Sequence, residues 1–224
     1  MDIHKSESFK NRRVLITAGA TWVALDAVRV ISNTASGETG IKLAEMLSDE
    51  GARVTLLLGP VSNLHLKGRV RVLNFKFFEE LKSLMEKELK AGGYDILIHS
   101  AAVSDYRPEK KHCGKVSSTN EKWRLSLVPT EKIINRVREF DKDIFLVGFK
   151  FEPNCTRKKL IIQARKLMRE ADPDLIVANT CGSEKKAYRS FIVSRDRISK
   201  VYSSKKTLSS GLIRSIREGL GRAI

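Results

Sequence analysis

The residues ITAGATWVALDAVRVISNTASGETG, positions 16–40, carry the first chemistry legible in the chain. A short apolar run enters glycine and an amphipathic helix follows, which lets backbone N–H groups approach an anion closely. A dinucleotide-binding turn would achieve this with the tight spacing G-x-G-x-x-G. Here Gly19, Gly37 and Gly40 are spread across an insertion that presents Asp26, Arg29, Ser32 and Asn33. The insertion thus places several side chains inside what would be a phosphate-binding turn, with Asp26 and Arg29 read as an ion pair there.

Three further segments end apolar runs in polar or glycine-bearing sequence: SAAVSDY at 100–106, GFKFE at 148–152 and ANT at 178–180. Two enzyme classes use such strand ends. A short-chain dehydrogenase holding NAD(P) would use the tyrosine–three–lysine spacing of Tyr106 and Lys110. Pro108 lies between them and is hostile to the helix that would align both side chains. The remaining class is a nucleotide-dependent ligase with a long anion-binding first loop. His112 and Cys113 are adjacent, but two ligands without a second pair do not define a metal site.

Strands and helices must position these ends. Apolar runs predict strands at Arg13–Ala18, Arg53–Leu58, Val70–Asn74, Asp95–Ser100, Ile144–Phe149 and Asp174–Ala178, with a short one at Arg124–Val128. Helical spacing covers Ser36–Glu50, Phe77–Ala91, Thr130–Phe140, Arg157–Ala171 and Leu208–Leu220. Thr130 is read as an N-cap, residues 105–122 as a loop, and Phe191–Ser194 with Lys200–Ser203 as a terminal hairpin. Strand–helix alternation implies an α/β fold with three α/β/α layers, a Rossmann-like and mostly parallel sheet, and a C-terminal antiparallel hairpin. One domain is expected over 1–224, with residues 1–12 a flexible lead-in. Ligands of such sheets bind at the carboxyl ends of strands, near the topological switch.

The net charge of +16 admits nucleic acid or small polyanions such as nucleoside triphosphates as partners. The basic residues are dispersed along the chain, and nothing shows the aromatic–basic interleaving of single-strand binders. A basic nucleic-acid-binding module is thus the rival class, and no nucleic acid is expected. Cys113, Cys155 and Cys181 read as reduced thiols. There is no apolar run of membrane-spanning length and no secretory signal, so a cytoplasmic protein off the membrane is expected.

TAGAT…LD-VR-ISN--SG--G at 17–40 and AAVSDYRP at 101–108 are followed by GKVSS at 114–118 and LVPTEKII at 127–134. GFKFE and ARKLMREADPDLIVAN at 164–179 complete an ordered set that spans nearly the whole chain. The set resembles phosphopantothenate–cysteine ligase in its stand-alone form. The resemblance implies a two-step reaction in coenzyme A biosynthesis. The carboxylate of 4′-phosphopantothenate attacks the α-phosphate of CTP or ATP, with Mg2+, and pyrophosphate leaves. The amine of L-cysteine then displaces the nucleoside monophosphate.

By the same resemblance, Asn33 and Lys115 are the catalytic residues, Asn33 as a neutral donor and Lys115 as a flap lysine screening the triphosphate. The nucleotide would meet Gly19, Ser100, Ala101, Ala102 and Asp105. It would also meet Lys115, Pro129, Phe149 and Lys166. Phosphopantothenate would meet Asn33, Ser36, Gly37 and Ala102. No residue is assigned to the metal. A homodimer is implied, as is a separate flavin-dependent decarboxylase. Ala20 replaces a usual glycine, Trp22, Val23 and Ala24 replace a more polar run, and Ala35 stands where serine is common. The first loop looks like the bacterial and archaeal form, which favours CTP over ATP.

Overall fold

The apolar runs become the strands of one sheet, because side chains buried on both faces need no polar alternation. The computed structural model describes residues 9–61, 65–119, 121–182 and 188–221. The strands of the sheet are β1 (Arg13–Ala18), β4 (Arg53–Leu58), β5 (Val70–Asn74), β6 (Ile96–His99), β9 (Phe145–Phe151), β10 (Leu175–Thr180) and β11 (Arg189–Val193). Their order is β11-β10-β9-β6-β1-β4-β5. All neighbours are parallel except β11, which runs antiparallel to β10.

From β1 the chain first winds outward through β4 and β5, then crosses to β6 and winds the other way. The switch therefore lies between β1 and β6, and a crevice opens at their carboxyl ends.

Side-chain alternation assigns the helical layers. Val14 and Ile16 of β1 point to one face, where α1 (Glu38–Asp49) supplies Leu43 and Leu47 and α5 (Lys205–Leu220) supplies Leu208 and Leu212. Leu15 points to the other, where it meets Leu81 and Met85 of α2 (Phe78–Ala91) and Val137 of α3 (Val137–Phe140). On that same face α4 (Arg157–Ala171) packs Leu160 and Ala164 on Ile176 of β10. This is the expected three-layer fold.

Several local readings differ. Residues 1–8 of the supposed lead-in lie outside the described residues. Residues 9–12, however, are anchored: Phe9 is buried, the Asn11 amide donates to the Gly51 carbonyl, and Arg12 pairs with Asp95 at 2.6 Å. The single helix expected over Thr130–Phe140 is a 3-10 turn at Ile133–Arg136 running into α3. Thr130 caps neither, because its hydroxyl donates to the Ser104 carbonyl at 2.5 Å.

Two small ribbons also lie outside the main sheet. One pairs β2 (Trp22–Ala24) with β3 (Val30–Ser32) inside the long first loop. The other pairs β7 (Tyr106–Pro108) with β8 (Leu127–Pro129), so the expected strand at Arg124–Val128 is shifted toward Pro129 and the expected loop at 105–122 begins with a strand. The second arm of the C-terminal hairpin reaches β11 only through single bridges, Ser190 with Tyr202 and Val193 with Ile198.

Candidate active site

At the switch, the loops after β1 and β6 stay laced together beyond the sheet. The Ser100 hydroxyl donates to the Thr17 carbonyl at 2.6 Å, and the Ala102 amide donates to the Gly19 carbonyl at 2.8 Å. The Thr21 amide returns a bond to the Ala102 carbonyl at 3.2 Å, and the Ser104 amide donates to the Thr21 hydroxyl at 2.9 Å. Four sequence-expected residues, Gly19, Ser100, Ala101 and Ala102, therefore form one wall.

Helix α1 is pressed onto that wall because two glycines allow it. Gly37 sits at φ 72°, and a Cβ there would lie 2.9 Å from Val61 Cγ1 and 3.2 Å from the Gly19 nitrogen. At Gly40 a Cβ would lie 2.5 Å from Ala18 Cβ and 2.7 Å from Ser100 Oγ. The free N–H groups of a helix start thus lie beside Gly19, a setting suited to an anion. The Ser36 hydroxyl accepts from the Glu38 amide at 3.4 Å, at that same helix start.

Beneath the wall is a pair that the sequence reading does not include. Thr17 Oγ lies 2.9 Å from His99 Nδ1 and accepts from the Ala101 amide at 3.1 Å. Burial lowers the His99 pKa to about 4, so the ring is neutral near neutral pH. The neutral ring and the Thr17 hydroxyl share one hydrogen bond, in which either group can be the donor.

Asn33 joins the same wall from the far end of the insertion. Its Nδ2 donates to the carbonyls of Ala102 at 3.1 Å and Val103 at 3.2 Å. Both partners are acceptors, which fixes the nitrogen on that side. Its two hydrogens are therefore engaged, and the remaining polar atom, Oδ1, is an acceptor. As placed, Asn33 braces one loop against the other. The expected donor role requires a hydrogen to leave one of those carbonyls.

Asp105 and Pro129 meet at the base of the β7–β8 ribbon, where the Thr130 amide donates to the Asp105 carbonyl at 2.9 Å and Lys132 pairs with the Asp105 carboxylate. Phe149 is half-buried on β9, in register with Val177 of β10. On the same face two residues further along β10, Asn179 has a buried Oδ1 with no hydrogen-bond partner. The ANT segment marks this strand end, but periodicity cannot show that the oxygen is orphaned.

Lys166 is not brought into this group. Helix α4 starts at the carboxyl edge and runs back along the sheet, so Lys166 lies nine residues, about 13 Å, down its axis from Arg157. It is exposed and forms an i,i+4 pair with Glu170 at 3.7 Å. The direction of the helix puts its start, and not Lys166, at the carboxyl edge of the sheet.

Lys115 lies in the long segment between β7 and β8, exposed and flanked by Gly114 at φ 92°. Its neighbours are tied to the β2–β3 turn. The Ala27 amide donates to the Gly114 carbonyl at 3.1 Å, and the Val116 amide donates to Asp26 Oδ2 at 3.1 Å. Arg29 Nη1 donates to Asp26 Oδ2 at 2.5 Å and to the Val116 carbonyl at 3.2 Å. The expected Asp26–Arg29 pair is present. Burial opposes the Asp26 charge, but the amides of Val28, Val116 and Arg29, together with the Arg29 guanidinium, prevail and lower its pKa to about 2.

A glycine-lined wall and a helix start meet at the switch point, and the Lys115 segment is tied to the ribbon that the first loop carries. The family model described as the DNA/pantothenate metabolism flavoprotein C-terminal domain matches residues 9–220. The chain belongs to this family. Among curated relatives, the coenzyme A biosynthesis bifunctional protein CoaBC of Thermococcus kodakarensis is 41% identical over 175 residues, 78% of this chain and 42% of that protein. CoaBC of Methanocaldococcus jannaschii is 31% identical over 213 residues, 93% of this chain and 51% of that protein. The chain thus spans about half the length of the curated relatives it matches. The crystal structure of the DNA/pantothenate metabolism flavoprotein from Streptococcus pneumoniae aligns with a TM-score of 0.81 at 27% identity. It covers 92% of this chain and 99% of that one. Membership of the DNA/pantothenate metabolism flavoprotein C-terminal family agrees with the resemblance read from the ordered motifs. No described helix is long and apolar enough to cross a membrane.

Proposed function

We propose that this protein joins 4′-phosphopantothenate to L-cysteine through an acyl-nucleotidylate, releasing pyrophosphate and a nucleoside monophosphate. The observation that carries this reading is the junction of Gly19, the α1 start and the Asn33 brace at the switch point, in a chain whose relatives are coenzyme A biosynthesis proteins. Activation of a carboxylate by a triphosphate needs an anion cradle beside a site for a second substrate, and the enlarged loop supports both.

In this reading the α1 N–H groups and Gly19 hold phosphate, and Ser36, Gly37 and Ala102 hold phosphopantothenate. Asp105, Pro129, Phe149 and the wall from Ser100 to Ala102 bound the nucleotide. Lys115 offers a compact charge on a flexible stem to the polyphosphate. Asn33 serves the acyl oxygen in the second step.

No group of three or more His, Cys, Asp or Glu side chains converges among the described residues. In this reading a magnesium ion would be held chiefly by triphosphate oxygens and water, where it would neutralise phosphate charge. CTP is favoured over ATP on the form of the first loop.

A homodimer is supported by apolar side chains exposed on the two neighbouring ribbons. Val28, Val30 and Ile31 lie on one, and Tyr106 and Leu127 on the other. The reaction belongs in the cytoplasm, beside a flavin-dependent decarboxylase that would consume the product. The test is product analysis with phosphopantothenate, cysteine, magnesium and each of the four triphosphates. Amide formation with one of them supports the reading, and none with any removes it.

A further inference from the structure

The β2–β3 turn grips the Lys115 segment on both sides of the lysine. Gly114 is held through its carbonyl by Ala27, and Val116 through its amide by Asp26 and its carbonyl by Arg29. Asp26 is the centre of this grip. Its Oδ1 accepts from the amides of Val28 at 2.9 Å and Arg29 at 2.8 Å, which shapes the turn. Its Oδ2 reaches across 90 residues of sequence to the Val116 amide while holding Arg29. The side chain of Asp26 is fully buried, and Val116 is buried beside it. A second contact closes the return of the segment, where the Arg29 guanidinium lies 5.4 Å from the centre of the Trp123 ring.

A lysine meant to swing freely would not have both neighbours hydrogen-bonded to another element. A lysine that must be delivered to one place would. We propose that Asp26 is a positioning residue, clamping residues 114–116 to the β2–β3 turn so that Lys115 is presented to the triphosphate from a fixed base. Only the lysine stem then moves. This rests on the reading of Lys115 as the polyphosphate lysine.

The experiment pairs amide hydrogen exchange with pyrophosphate release in the full chain. Asp26→Asn keeps the volume, but loses the charge and sets an amide against donors. Loss of a charge-assisted bond predicts about 10- to 100-fold faster exchange at Val116 and Ala27, with β1 and β6 amides unchanged. Pyrophosphate release should fall through kcat rather than KM for triphosphate. The double variant Asp26→Asn, Lys115→Ala should be no slower than Lys115→Ala alone, because the clamp acts through the lysine. If Asp26→Asn does not fold, Asp26→Ser retains the turn with one oxygen and has none left for Val116. Unchanged exchange at Val116 overturns the clamp. Faster exchange with undiminished pyrophosphate release, or additive losses in the double variant, overturns the positioning role. If the wild type releases no pyrophosphate with any triphosphate while Asp26→Asn still loosens Val116, the ligase reading fails and the clamp stands.

Discussion

Thr17 and His99 face each other across the seam where the sheet reverses its winding, 2.9 Å apart and buried. The bond ties the last turn of β1 to the last residue of β6, directly under Ser100 and Ala101. Burial of the ring also makes the wall sensitive to acid. The folded ring titrates at about 4, below its ordinary 6.5. Between those values the unfolded chain binds a proton that the folded chain does not, so stability rises with pH across the window and is lost as pH falls. The full effect is on the order of 3 kcal/mol. Urea melts from pH 4.5 to 7 should show this slope. In His99→Asn, whose Oδ1 can take the place of Nδ1, the slope should flatten, and an unchanged slope would assign the acid sensitivity elsewhere.

The approach of α1 to β1 predicts a sharp steric limit at Gly40. An added methyl would meet Ala18 Cβ at 2.5 Å, a buried atom on a central strand. Gly40→Ala should destabilise by about 1–3 kcal/mol through overpacking and lower Tm by several degrees. Calorimetry that finds no change would mean α1 can slide outward without loss.

Much of this frame is legible in the sequence because it obeys local rules. Leu15 and Ile16, or Leu56 and Leu57, are adjacent apolar residues, and only a strand covered on both faces buries both. The pieces that escaped are set by distant partners. Strands β2 and β3 are three residues each, too short to show a period. Thr130 has the type of a helix cap, but the Ser104 carbonyl claims its hydroxyl from 26 residues away. Asp26 and Arg29 announce a pair by their spacing, whereas the Val116 amide that completes the site lies 90 residues on. Lys166 shows the converse. A motif match marks its place in the sequence, and only the run of α4 back along the sheet shows how far it lies from the helix start.

Lys115→Ala should reduce the rate of acyl-nucleotidylate formation on the order of 10²-fold, the typical loss for a charge acting on a developing anion. The fold should be unaffected, since the side chain is exposed. Single-turnover pyrophosphate release is the appropriate measurement, and a rate equal to the wild type would make Lys115 a bystander.

Asn33→Ala separates the two half-reactions. A donor to the acyl oxygen matters most where charge builds during attack by cysteine, and its loss costs on the order of 3 kcal/mol there. The first step depends on phosphate contacts instead. The variant should therefore consume triphosphate once and accumulate the acyl-nucleotidylate, visible by mass spectrometry of a quenched mixture. If Asn33 only braces the loops through Ala102 and Val103, both steps will slow together.

The most direct test of the whole account is the identity of the products made from phosphopantothenate, cysteine and triphosphate. The account predicts pyrophosphate and nucleoside monophosphate in equal amounts with the amide, and CTP preferred over ATP. Nucleoside diphosphate and orthophosphate in their place would show activation through an acyl-phosphate and contradict it.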